Sequence, residues 1–273
     1  MFISENAVSP SREAWLKRRR RDRLLVGLAK VGLLVSLLLF WEIAARTGVI
    51  DPFITSCPSR FMLSIGRLAA RGELWKHIWV TTLEAIAGFC CGTILGTIIA
   101  IVLWGSSFLC RVLEPYLVVL NALPKIALGP IFIVWIGARP MAIVVIALSI
   151  SLVVTVLEVL GGFISTDPDM IRLVQTFGAG KLQVLRKVVL PANLPTIIGS
   201  LKVNVGMSWV GVIVGEFLIS KAGLGYLIVY GSQVFQLDLV MASVVILSFI
   251  ATLMYFCIQY IEKLLSKRRG AVR

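Results

Sequence analysis

The sequence predicts an all-α integral membrane protein with six membrane-crossing helices, and three observations carry that prediction. The chain is 58% hydrophobic and only 15% charged over 273 residues, with a mean hydropathy of +0.94. A water-soluble domain of this size cannot hide so much apolar surface. Six stretches reach the roughly 20 apolar residues needed to cross a bilayer, at 24–45, 77–104, 112–136, 140–162, 196–219 and 239–262. Finally, the basic residues sort by side. With the amino terminus inside, segments 1–23, 105–111, 163–195 and 263–273 hold 17 of the 27 Lys and Arg. The outside segments hold seven, and Lys30, Lys125 and Lys202 fall within spans. Both termini inside is what the positive-inside bias favours for an even number of spans.

The formal charge of +13 does not point to nucleic acid, because it is concentrated beside membrane segments in "KRRRRDR" (Lys17–Arg23) and "KRRGAVR" (Lys267–Arg273). Such runs read as topology signals lying against anionic lipid. The apolar run Leu24–Phe40 outlasts a signal-peptide core and lacks a small-residue cleavage site, so it reads as a retained first helix. Five cysteines, Cys57, Cys90, Cys91, Cys110 and Cys257, imply no disulfide framework, and a single histidine, His77, implies no metal cluster. The chain divides into a basic tail (1–23), a first helix with an outer linker (24–57), a core (58–262) and a second basic tail (263–273).

After the first helix, "PSRFMLSIGRLAARGELW" (Pro58–Trp75) reads as an amphipathic helix in the membrane interface. Arg60, Arg67 and Arg71 share one face and Phe61, Ile65 and Leu68 another. The second span carries Gly88, Gly92, Gly96 and Ala100 at four-residue intervals, a stripe suited to close helix packing in lipid. Glu84 lies one turn earlier, where it can cap or pair.

In the third span, "LNALPKIALGPIF" places Asn121, Pro124, Lys125, Gly129 and Pro130 within an apolar run, which predicts a kinked or broken helix. Lys125 is expected to face a cavity, a partner carboxylate or the inner interface, either as part of a pathway or as a snorkelling structural residue. Along the fifth span, Ser200, Asn204, Ser208, Gly211 and Gly215 share one side of the helix. That stripe can line a route or pack against another helix, and pathway lining is the expectation. Glu216 lies off the stripe, and Lys202 is near enough to the inner end to snorkel. The segment "KAGLGYLIVYGSQVFQLD" is too short and too interrupted to cross and reads as an external re-entrant or capping turn, after which Asp238 can cap the last helix.

The longest polar interruption, 163–195, contains "FGAGKLQVLRKVVLP". It is not a phosphate-binding loop. Gly180–Lys181 is followed by Leu182 rather than a hydroxyl residue, and Gln175 stands where the first glycine is required. A helical hairpin is expected instead. Asp167 caps a helix opening at Pro168, Gly178 stops it, and a second helix places Leu182, Leu185 and Val189 on one side.

These residues resemble the cytoplasmic "EAA" loop of permease subunits in prokaryotic ATP-binding-cassette importers, whose pattern is Glu-Ala-Ala, three residues, Gly, nine residues, Ile-x-Leu-Pro. The glycine falls on Gly178, the Leu-Pro on Leu190–Pro191 and the isoleucine on Val188, while Arg172–Leu173–Val174 replaces the opening triplet. "LPKIALGPIFIVWIG" and "GLGYLI" are similar to the nitrate, sulfonate and taurine branch, and the likeness covers most of 58–262.

The resemblance implies a type I importer (MetI-like) permease fold with a cytoplasmic coupling hairpin in a prokaryotic cell membrane. It implies a second permease copy, two ATPase subunits that carry ATP and Mg, and an extracytoplasmic solute-binding protein. Arg172, Gly178, Ala179, Gly180, Leu190 and Pro191 would contact the ATPase. Lys125, Ser200, Asn204, Ser208 and Gly211 would line the pathway, and Gly88, Gly92 and Gly96 would pack helices. No cofactor or catalytic residue is expected in the chain itself. A self-contained secondary transporter or channel would leave the hairpin unexplained. A membrane enzyme would need convergent acid, base or metal groups, whereas Glu42, Glu84, Glu114, Glu158, Glu216 and Glu262 are scattered along the chain.

Overall fold

The computed structural model describes residues 10–270, and every regular element among them is helical. The extreme ends of the two basic tails, 1–9 and 271–273, lie outside the described residues. In chain order the elements are α1 (Pro10–Arg46), α2 (Pro52–Thr55), α3 (Pro58–Ala70), α4 (Glu73–Gly105), α5 (Ser107–Ala122), a tight turn of helix (Lys125–Leu128), and α6 (Gly129–Ile136). They continue as α7 (Pro140–Ile164), α8 (Pro168–Thr176), α9 (Lys181–Val184), a widened helical turn (Leu185–Val189), α10 (Leu190–Ala192), α11 (Leu194–Ile219), α12 (Leu224–Gln233) and α13 (Leu237–Gly270).

Five of these helices are long and apolar enough to cross a membrane. The bent pair 107–122 and 125–136 brings the number to six if the two together are one span. The pair meets at 88° around Leu123–Pro124, where the proline lacks the amide that would continue the ladder. The break is therefore sharper than a kink.

Residues 1–63 and 64–273 form two compact units. In the first, the end of α1 is tied to the start of α3. The Glu42 carboxylate accepts from the Ser59 amide at 3.0 Å and the Ser59 hydroxyl at 2.9 Å, and it pairs with Arg46 at 2.7 Å. Trp41 and Phe61 pack with ring centroids 5.7 Å apart.

The second unit is built on α4, α7 and α11, which pack closely together, with α12 and α13 against them. Three apolar clusters divide it along its length. One, with Val156, Phe163, Val184 and Val189, sits under the α8–α10 hairpin. A central one joins Ala85, Ala147, Trp209 and Val212. The third, at the α12 end, joins Leu68, Leu74, Leu224, Leu227 and Leu239. Asp238 lies inside the first turn of α13, which begins at Leu237, rather than ahead of it as a cap.

Candidate functional site

The small residues of α4 decide how its neighbours approach. A Cβ added to Gly88 would stand 2.7 Å from that of Ala147, and one on Gly96 would stand 2.6 Å from that of Thr155, while Gly92 meets Ser151 between them. Gly211 and Gly215 of α11 lie against Ala147 and Ile143 in the same way. Ala147 is therefore held between two glycine faces, and backbones that close gain packing that lipid cannot supply.

Polar side chains fasten the same seam. The Asn204 amide donates to Thr155 Oγ1 at 2.5 Å and Thr93 Oγ1 at 3.3 Å, and the Ser208 hydroxyl donates to the Ala85 carbonyl at 2.6 Å. Ser200 bonds back to the Ile197 carbonyl at 2.8 Å. Ser200, Asn204, Ser208 and Gly211 are all buried inside the chain. This departs from the expectation that they face a route. The polar stripe of α11 is spent on α4 and α7, and the open side of α11 is instead Gly199, Val203, Gly206 and Val210. Helical periodicity marks a stripe as special without saying whether another helix covers it.

Among the described residues Lys125 meets no carboxylate. It is half-buried, and its ammonium donates to the Asn121 carbonyl (3.3 Å) and side-chain oxygen (3.2 Å). It thus answers the unpaired carbonyls at the end of α5, where a cation is favoured. Lys202 pairs with Glu262 of α13 at 2.5 Å.

At one end of the bundle, α8, α9 and α10 form the expected hairpin. Asp167 caps α8 by accepting the Asp169 amide at 2.9 Å, with Pro168 at the first helical position. Gly178 takes φ +79°, the left-handed conformation that stops the helix. Ala179 packs partly on the Phe163–Val184–Val189 cluster, and the Gly180 amide donates to Gln183 Oε1 at 3.1 Å. The base is stapled by Asn193, whose side-chain amide donates to Thr166 Oγ1 at 2.7 Å and to the Val189 carbonyl at 2.9 Å. Leu190 is half-buried and Pro191 exposed in the short turn α10.

The tip of the hairpin is apolar and open. Leu173 is 59% exposed, Leu182 76% and Phe177 83%. Leu185 and Val189 turn inward, so Leu182 parts from the face it was expected to share with them. Arg172 lies exposed beside Asp169 at 3.6 Å.

At the opposite end the start of α12 is held from within the chain. Four amides at the start of α12 all find side-chain acceptors: Gly223 donates to His77 Nδ1 at 2.9 Å and Leu224 to Thr81 Oγ1 at 2.7 Å, while Gly225 (2.5 Å) and Tyr226 (3.3 Å) donate to Glu216 Oε2. These are the orphan donors of a helix start, satisfied from two other helices. The glycines of "GLGYLI" make this possible, because a Cβ on Gly223 or Gly225 would collide with the Glu216 side chain. Sequence reasoning missed the arrangement, although His77, Thr81, Glu84 and Gly88 follow one helical face and so formed a legible polar start to the glycine stripe.

Five long apolar helices and a bent pair around a buried polar seam, with an open-tipped hairpin at one end, make a helical bundle built for a membrane. The chain belongs to the family described as binding-protein-dependent transport system inner membrane component, whose model matches residues 92–270. It is thus the transmembrane permease subunit of an ATP-binding-cassette importer, a transport role rather than an enzymatic one.

It is 32% identical over 240 residues to an ABC transporter permease protein of Haemophilus influenzae, covering 88% of this chain and 96% of that one. To the aliphatic sulfonates transport permease protein SsuC of Bacillus subtilis it is 28% identical, covering 99% of each. To the riboflavin transport system permease protein RibX of Chloroflexus aurantiacus it is also 28% identical, covering 85% of this chain and 87% of that one. Among solved structures, the fold is shared with a chain of the MetNI methionine ABC transporter (TM-score 0.60, 17% identity, 71% of this chain and 96% of that one). It is likewise shared with a chain of a bacterial alginate ABC transporter, solved in complex with an alginate pentasaccharide-bound periplasmic protein (TM-score 0.60, 15% identity, 92% and 98%).

Proposed function

We propose that this permease forms one half of a symmetric pathway, driven through the α8–α10 hairpin by a pair of ATPase subunits that hold ATP and Mg. The observation that carries this reading is the combination of an open apolar tip (Leu173, Phe177, Leu182) with a base stapled by Asn193 and Thr166. An exposed aromatic on a rigid mount is what a partner's pocket takes as an anchor. Gly178, Ala179 and Gly180 let the turn enter a groove, Arg172 lies at its rim, and Leu190–Pro191 lead the motion into α11. ATP binding then acts by favouring one of two packings of the bundle.

On this reading the hairpin end and both termini are cytoplasmic, as the basic segments support, and the chain sits multi-pass in a prokaryotic cell membrane. A second copy faces the open side of α11, with Lys125 near the pathway, and an extracytoplasmic binding protein delivers solute at the α12 end. The end-to-end similarity to a sulfonates permease supports an organic sulfonate or a solute of similar size as cargo. The domain division expected from the sequence, with a core at 58–262 and basic tails on either side, belongs to this reading too.

The test is co-purification from native membranes. A P-loop ATPase should accompany the native chain and be lost when Gly178 and Ala179 are both replaced by glutamate. Its absence from a folded native preparation would sink the proposal.

A further inference from the structure

The histidine that holds the start of α12 meets two groups at one ring nitrogen. His77 Nδ1 stands 2.9 Å from the Gly223 amide nitrogen and 3.2 Å from the Gly223 carbonyl oxygen. Gly223, at φ +123° and ψ 169°, is extended in the mirror-image sense that glycine alone adopts readily. An extended residue turns its own N–H and C=O to the same side, so both face the imidazole.

An amide can only donate, so in this arrangement Nδ1 accepts and the ring proton sits on Nε2. A protonated imidazole has donors at both nitrogens. It cannot accept the Gly223 amide, yet its new Nδ1–H is within reach of the Gly223 carbonyl. One proton therefore exchanges one bond for the other while the ring stays stacked on Tyr226, with centroids 6.0 Å apart. The next three amides keep their acceptors, Thr81 Oγ1 and Glu216 Oε2. Gly223 is buried, and a buried amide that loses its acceptor is unfavourable, so the first turn of α12 loosens.

Other titratable groups surround this ring. On α4, Glu73 lies one turn before His77, Lys76 beside it and Glu84 two turns beyond. From α11 comes Glu216, whose carboxyl borders Gly223, and Lys221 is exposed in the link to α12. From α12 come Tyr226 and, stacked on it, Tyr230. α3 brings Leu68, with Arg67 and Arg71 exposed, and α13 brings Leu239, with Asp238 next to it. All of these remain when His77 alone is replaced, so a single substitution separates its titration from theirs.

We propose that His77 is a proton-operated latch: neutral, it caps α12 through the Gly223 amide, and protonated, it turns to the Gly223 carbonyl and frees that end of the helix. On the topology proposed above the proton comes from outside the cell, but the latch itself does not depend on that reading.

Two readings test it on the full-length chain, purified without a histidine tag and held in lipid nanodiscs. Nitrogen-15 NMR follows the single imidazole. Hydrogen exchange of segment 220–227, corrected for the intrinsic effect of pH, follows the start of α12. At pH 7 Nδ1 should be the unprotonated nitrogen and the segment should exchange slowly. At pH 5 both nitrogens should carry protons and exchange should quicken about tenfold, the equilibrium weight of one buried hydrogen bond. His77→Asn, whose Oδ1 accepts at either pH, should stay slow at both, and His77→Leu should be fast at both. A proton on Nδ1 at pH 7, or an imidazole still neutral at pH 5, overturns the proposal. So does a ring that takes its proton without quickening exchange. An acid response that survives in His77→Asn also overturns it and assigns the titration to a carboxylate such as Glu216. Should the variants fail to fold, the native chain decides, because the two readings must share one pH midpoint.

Discussion

The two ends of the helical core solve the same problem in opposite ways. At the α12 end, every amide at the start of the short helix is answered by a side chain of this chain, and Leu224, Leu227 and Leu239 pack into its own cluster. At the hairpin end, the helices are capped and stapled just as firmly, yet Leu173, Phe177 and Leu182 are left open. Both ends leave apolar side chains open, Phe235 (70% exposed) beyond α12 and these three at the hairpin; what differs is that the hairpin gathers its three on one polar turn. Apolar exposure along α4 or α11 is ordinary where lipid is the solvent. At the tip of a polar hairpin it is the surface that the proposed ATPase contact would cover.

The largest effect that would break this comparison is at Phe177. Replacing it with glutamate should cost at least about 2 kcal/mol of ATPase binding, roughly 30-fold in affinity, by the usual weight of a buried aromatic anchor. The melting temperature of the isolated permease should not move, and titration of the ATPase against both forms in nanodiscs reads the two quantities separately.

Next comes the seam that joins the ends. Gly211→Leu drives a side chain into the backbone of Ala147, and overpacking of this kind costs about 1–3 kcal/mol. A lowered unfolding midpoint in mixed detergent would show it. Asn204→Leu removes the bonds to Thr155 and Thr93 and should cost about 1 kcal/mol, within the range of polar contacts between membrane helices. If Asn204→Leu instead spared stability and abolished transport, the seam would be a route after all.

The smallest effect is expected at Arg172. Its contact with Asp169 is fully solvated, so Arg172→Ala should change stability by less than about 0.5 kcal/mol. A loss of ATPase binding in that variant would sharpen the hairpin's footprint to include the arginine.

Much of this was legible in the residues. Asp167–Pro168 and Gly178 marked the first hairpin helix because capping and left-handed stops depend on local chemistry. The four-residue glycine ladder of α4 marked a contact face for the same reason. What the contact faces was not legible. Ser200, Asn204 and Ser208 form as good a stripe for a water-filled route as for a seam, and only the positions of Thr155, Thr93 and Ala85 on other helices decide between them. Leu182 misled for a related reason: periodicity gives it a direction shared with Leu185 and Val189 but cannot tell that the chain provides no neighbour there. The answering of the α12 amides by His77 and Thr81, over 140 residues away in sequence, depends wholly on tertiary packing.

The central claim is that the hairpin tip is the point of contact with the ATPase. A single cysteine at 177, in a chain whose native cysteines are replaced by serine, can be cross-linked in membranes to the co-expressed ATPase. The account predicts a covalent permease–ATPase product from position 177 and none from a control cysteine at Val134, which is equally exposed but lies on α6. A product from the α6 position with none from 177 would contradict it.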